Sequence, residues 1–135
     1  MSFINPKHKY SQNMNTLLKQ ILEHEGVASI VTSEKGVPHV TATWNSYIEI
    51  ETDGKLLIPA GGLSQTEQNI LMDNKMFILI GSKLVHGRKS MGTGLRLTGN
   101  AEFVYTGSLY DKIKSRFPWA RAVLVFTIEI TEQLL

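Results

Sequence analysis

The chain has 135 residues, 42% hydrophobic and 19% charged, which is enough for one globular domain with a buried core, spanning 1–135. Its net charge of +2 is thinly spread, with Arg88-Lys89 and nearby Lys83 as the largest cluster, and this excludes a nucleic-acid binder driven by charge. With no cysteine there are no disulfides, thiolate metal ligands, iron–sulfur clusters or thiol nucleophiles. Residues 1–12 read as a polar, weakly structured lead-in. No window has the apolar length of a signal peptide or membrane span, so a cytoplasmic address without membrane contact is expected.

From Asn13 to Glu25, Met14, Leu17, Leu18, Ile21 and Leu22 recur at helical spacing, and Gly26 is placed to end that helix. Val27 to Thr32 reads as a strand, followed by a turn at Glu34-Lys35-Gly36. The run from His39 to Ile50 alternates, predicting Val40, Ala42, Trp44, Ser46, Ile48 and Ile50 on one face of a strand. Asp53-Gly54 signals a hairpin before the strand Lys55–Ile58. A helix is expected from Gln65 to Asp73, then a fully buried strand Met76–Ile80 and a glycine-rich loop from Gly87 to Gly94. A long strand near Leu95 to Tyr105 follows. Tyr110, Ile113, Lys114 and Phe117 give a short helix closed by Pro118, and Ala122 to Ile130 is the last strand. The expected fold is mainly β: a six-stranded antiparallel barrel-like sheet with short appended helices.

Several chemistries find no support. His8, His24, His39 and His86 are isolated and lack metal-ligand spacing. No G-x-S-x-G elbow is present. The segment Gly81 to Ser90 imitates a phosphate-binding P-loop but has five residues between its glycines and Arg88 intruding before the lysine. Gly92-Thr93-Gly94 fails the dinucleotide fingerprint, because Leu97 holds the third glycine position.

Three segments do carry chemistry. Leu56 to Glu67 reads as strand, Gly61-Gly62 turn and helix start, and Ser64 with Glu67 has the spacing of a capping box. Backbone N–H groups at such a helix start, approached through glycines, can seat a phosphate; a plain strand-to-helix connection explains the same residues. Thr43-Trp44-Asn45-Ser46-Tyr47 places two aromatic rings among amide and hydroxyl groups, which suits a planar heteroaromatic ligand with a polar edge. A core Trp44 with an exposed Tyr47 is the simpler alternative. Trp119 sits at a helix–strand junction, able to cover a ligand or fill an interface. A phosphate seat, aromatic walls and polar edge contacts together match a phosphorylated planar cofactor, and one phosphate site favours FMN over FAD.

With these motifs the chain resembles small bacterial FMN-binding proteins of the flavin split-barrel class, related to pyridoxamine 5′-phosphate oxidase. The resemblance runs from about Leu17 to Leu135. It is carried by Gly36-Val37-Pro38-His39, Thr43 to Tyr47, Pro59 to Gly62 with Thr66-Glu67 and Asn69, Gly87-Arg88, Gly92 to Gly94, Arg116-Phe117 and Trp119 to Ala122. It implies a six-stranded split barrel and a homodimer with FMN at the subunit interface. By that resemblance, Thr43, Trp44, Asn45, Ser46 and Tyr47 contact the flavin and its ribityl chain. Pro59, Ala60, Gly61 and Gly62 run along the ring's polar edge, and Ser64, Gln65 and Thr66 lie at the phosphate. Thr93 and Gly94, with Trp119 and Leu135 near the flavin, complete the set. Where related oxidases carry Ser-Arg-Lys at the phosphate, this chain has Ser64-Gln65-Thr66, leaving Lys83 and Arg88 as candidate cations. The implied function is electron transfer or flavin-dependent redox chemistry with a redox partner protein or small acceptor. The alternatives are an oxidase-like enzyme acting on a small substrate and an FMN storage module.

Overall fold

The structure, a computed structural model, describes residues 6–52 and 54–135. In chain order the elements are α1 (Pro6–Leu22), β1 (Val27–Glu34), β2 (Val37–Trp44), a 3-10 turn (Asn45–Tyr47), β3 (Glu49–Glu51) and β4 (Lys55–Ala60). There follow α2 (Ser64–Met72), β5 (Lys75–His86), β6 (Met91–Val104), α3 (Ser108–Arg116) and β7 (Ala122–Gln133). All strand pairs are antiparallel, in one seven-stranded sheet of order β2-β1-β5-β6-β7-β4-β3.

The sheet corrects the expected six-stranded split barrel: it has seven strands and is not closed into a barrel, with β2 and β3 as the ends of its hydrogen-bonded order. The seventh strand comes from the alternating run of 39–50, which breaks at Asn45. The Asn45 N–H donates to Gly26 O at 2.8 Å and its Nδ2 to His24 O at 3.1 Å, and Ile48 N closes the turn on Asn45 O. Asn and Ser favour such turns because their side chains compete for backbone groups. Two elements adjacent in sequence therefore lie at opposite ends of the hydrogen-bonded order. Of the expected face, Val40, Ala42 and Trp44 share one side and point outward, whereas Ile48 is buried.

Other boundaries move for local reasons. The helix expected from Asn13 begins at Pro6, because proline lacks the N–H that a first helical position leaves unused; residues 1–5 of the expected lead-in lie outside the described residues, as does Asp53 of the hairpin signal. The strand expected to be fully buried at Met76–Ile80 is not, since Leu79 on its outer face is exposed. The glycine-rich loop shrinks to Gly87–Ser90, and Gly92, Thr93 and Gly94 are strand residues. Gly81 pairs with Gly94, and a Cβ on Gly81 would meet Thr93 O at 3.0 Å, so these glycines serve close strand approach rather than a loop.

The core has two parts. Leu18 and Ile21 of α1 pack on Ile30, Ile58, Ile78, Leu95, Leu97 and Phe126 of the sheet. On the opposite face of β4 and β7, Leu57, Val123 and Val125 pack on Ile113 and Phe117 of α3 and beyond it. This two-sided burial is why β4 and β7 carry unbroken apolar runs rather than alternation.

Candidate functional site

A cleft of about 510 Å³ opens between edge strand β2, the end of β4 and the start of α2. Thr43, Trp44, Tyr47, Pro59, Gly61, Gly62 and Trp119 line it, together with Val27, Ala42 and Leu63, which were not among the expected site residues. Seven of the sixteen expected site residues thus converge on one cleft. Tyr47 and Trp119 lie 5.6 Å apart between ring centroids, and Phe117 joins them at 5.1 Å from Tyr47 and 5.5 Å from Trp119. Trp44 and Trp119 are about half exposed, at 46% and 50%. Among the described residues no carboxylate, histidine, lysine or arginine lines the cleft, so its walls offer shape, rings, the Thr43 and Tyr47 hydroxyls and backbone polarity.

At its far end the geometry becomes one suited to an anion. The capping box expected at Ser64 and Glu67 is not formed: Leu63 is the N-cap, no side chain caps the helix, and Glu67 turns to Arg121 instead. Leu63 adopts the left-handed conformation at φ +62° and ψ +32°, which costs a non-glycine residue about 1–2 kcal/mol. Among the described residues, the N–H groups of Gly62, Leu63, Ser64, Gln65 and Thr66 have no acceptor. Thr66 is fully buried and its Oγ1 has no hydrogen-bond partner. Such orphaned donors at a helix start suit an oxyanion. A Cβ on Gly62 would meet nothing, and a Cβ on Gly61 would stand 2.9 Å from Trp119 Cε3. Glycine at 61 is therefore the condition for the tryptophan to lie against the turn.

The remaining expected residues lie elsewhere. Asn45 is buried and holds the 3-10 turn to the end of α1. The Ser46 Oγ donates to Glu25 at 2.6 Å, which helps hold that carboxyl below its ordinary range, and Ser46 O accepts from Arg116. Ala60 is buried in the β4–β7 ladder. Ser64 and Gln65 stand at the exposed start of α2, and the Gln65 Nε2 donates to Asn69 Oδ1 at 2.9 Å. Gly94 is buried in β6.

Thr93 and Leu135 belong to a second cleft, of about 530 Å³, at the outer end of the β5–β6 hairpin. Ser82, Lys83, Arg88, Lys89 and Ser90 are among its walls. None of its three cations has a carboxylate partner among the described residues. The chain end is tied down by its backbone: the Arg88 N–H, Thr93 Oγ1 and Gln133 Nε2 all donate to Leu135 O, while the Leu135 side chain is 67% exposed.

Sequence reasoning placed Arg121 in the Trp119 to Ala122 motif but not in the site, where its guanidinium donates to the Gly61 and Gly62 carbonyls and to Glu67. Its partner lies 54 residues away in the chain, so no spacing rule could pair them. Arg121 and then Tyr105, both donating to Glu67, hold that carboxyl below its ordinary range.

Comparison with known proteins bears on the family and the fold. The family model described as pyridoxamine 5′-phosphate oxidase matches residues 14–134. A protein named FMN-binding protein from Nitratidesulfovibrio vulgaris (strain DSM 19637 / Miyazaki F) is 39% identical over 116 residues, 86% of this chain and 94% of its own. The crystal structure of an FMN-binding protein from Syntrophomonas wolfei subsp. wolfei superposes with a TM-score of 0.71 at 17% identity, covering 96% of this chain and 94% of that one. HupZ from Group A Streptococcus gives 0.69 at 22% identity, covering 91% and 92%. Among the described residues no helix is long and apolar enough to cross a membrane, and no group of residues is arranged to hold a metal ion.

Proposed function

The chain belongs to the pyridoxamine 5′-phosphate oxidase family, and from that premise we propose that it is a homodimeric FMN protein acting in electron transfer or flavin-dependent redox chemistry. One observation carries the reading: the aromatic cleft runs into a helix start whose N–H groups and buried Thr66 hydroxyl lack partners. Thr43, Trp44, Tyr47 and Trp119 would flank the flavin, Pro59 to Gly62 would follow its polar edge, and Gly62 to Thr66 would take the phosphate. When bound, the flavin supplies the redox chemistry. The protein's part is to seat the phosphate, flank the ring and limit its exposure to water.

The homodimer rests on what the single chain leaves uncovered. Val37, Val40 and Trp44 on edge strand β2, with Val27 beside them, are exposed apolar side chains, and an uncapped apolar edge favours a second chain. In that arrangement the second cleft, with Thr93 and Leu135, would belong to the site of the partner copy. The 39% identical relative named for FMN supports the cofactor. Among the described residues no carboxylate, histidine, lysine or arginine lines the aromatic cleft, which supports a carrier over an enzyme that moves protons with such side chains.

An absorption spectrum of purified protein after incubation with FMN tests the reading. Flavin bands near one per chain, with sedimentation at twice the chain mass, are expected. A colourless protein that takes up no FMN would sink it. Steady-state turnover with NAD(P)H and small acceptors well above that of free FMN would replace the carrier by an enzyme.

A further inference from the structure

We propose that Arg121 is a positioning residue for the phosphate seat, holding the carbonyls of the diglycine turn on one side so that its N–H groups face the cleft. The inference rests on the FMN reading and deepens it. Arg121 gathers three successive carbonyls: its backbone N–H donates to Ala60 O at 2.8 Å, its Nε to Gly61 O at 3.2 Å and its Nη2 to Gly62 O at 2.7 Å. In a trans peptide the carbonyl of one residue and the N–H of the next point in opposite directions. The N–H groups of Gly61, Gly62 and Leu63 are therefore directed away from Arg121.

The rest of the guanidinium ties this turn to the helix. Its Nη2 donates to Glu67 Oε1 at 3.0 Å and its Nη1 to Glu67 Oε2 at 3.3 Å, and Glu67 lies in the first turn of α2. Tyr105 donates to the same carboxylate, and the Phe103 ring lies 5.9 Å from the guanidinium. Between the two anchored ends stands Leu63 in its left-handed conformation. Such a conformation persists only where the surroundings over-determine it. One planar fork spanning two carbonyls and a carboxylate does so, and a lysine ammonium has no such fork.

Charge distinguishes this role from direct phosphate binding. Glu67 neutralises Arg121, and four of the five guanidinium donors are already committed to carbonyl and carboxylate oxygens. Were Arg121 a phosphate ligand held in reserve, removing the Glu67 charge would free it and tighten FMN. For a positioning residue the same change loosens the turn and weakens FMN.

Riboflavin lacks only the phosphate, so paired FMN and riboflavin titrations of the full-length protein, followed by flavin fluorescence, test the proposal. Arg121→Gln and Arg121→Lys are each expected to weaken FMN about 10- to 100-fold, with riboflavin changed less than about 3-fold. Glu67→Gln should weaken FMN in the same direction by a smaller factor. Equal losses for the two flavins would reduce Arg121 to a residue that merely supports the fold. Wild-type behaviour of Arg121→Lys, or tighter FMN binding by Glu67→Gln, would also overturn the proposal. Wild-type protein binding neither flavin would defeat the FMN reading itself, and that outcome is distinct from wild-type binding with unaffected variants.

Discussion

The aromatic cleft and the basic cleft at the β5–β6 hairpin are nearly equal in size and opposite in chemistry. Among the described residues, one is walled by Trp44, Tyr47 and Trp119 with no charged side chain, and the other by Lys83, Arg88 and Lys89 with no ring. On the proposed reading a phosphorylated aromatic ligand would draw on both properties, and neither cleft offers the two together. On that reading the aromatic cleft would meet phosphate through neutral backbone dipoles and a hydroxyl. Rings and backbone donors confer shape and orientation, whereas unpaired surface cations contribute long-range attraction that salt screens.

The division predicts a hierarchy of effects. Gly61→Val drives a side chain into Trp119 and should weaken FMN by at least about 100-fold (about 2.7 kcal/mol), with a far smaller change in thermal midpoint of the apo protein. Unchanged affinity in a flavin titration would detach the diglycine turn from the ligand. Trp119→Ala removes a wall and should cost about 30-fold, the order of a truncated aromatic anchor. It should also partly restore the fluorescence of bound flavin, which fluorescence lifetimes can read.

Thr66→Val makes a sharper test because its two effects have opposite signs. The orphaned buried hydroxyl costs the apo protein about 1 kcal/mol, so valine should raise the apo thermal midpoint while weakening FMN about tenfold. A rise in midpoint with FMN affinity intact would show the hydroxyl to be unrelated to phosphate. The smallest effect belongs to the basic cleft. Lys83→Gln with Arg88→Gln should weaken FMN about three- to tenfold and flatten its dependence on salt. No change in either quantity would separate the two clefts functionally.

What the sequence made legible follows from how local each signal is. Trp44, Tyr47, Gly61, Gly62 and Trp119 could be read as a candidate site because rings among polar groups, and glycines before a helix, are local peculiarities of the sequence. The antiparallel sheet was legible from alternation and turn residues. The break at Asn45 was not, because the acceptors that stabilise it, His24 O and Gly26 O, lie some twenty residues earlier. The glycines at 92 and 94 misled because composition cannot tell a loop from two strands in close approach. Ser64 and Glu67 had the spacing of a capping box, yet Glu67 found in Arg121 a charged partner that no local pattern announces, and a bidentate charged pair outcompetes a neutral backbone donor.

The four residues between Trp44 and Glu49 are all that join the outermost strands of the sheet. A ligand lying against Trp44 and Tyr47 would then act as a clasp across a seam that no strand ladder bridges. Its release would register as faster amide exchange in β2 and β3 together, two strands that share no hydrogen bond, while the central β6 and β7 kept their protection.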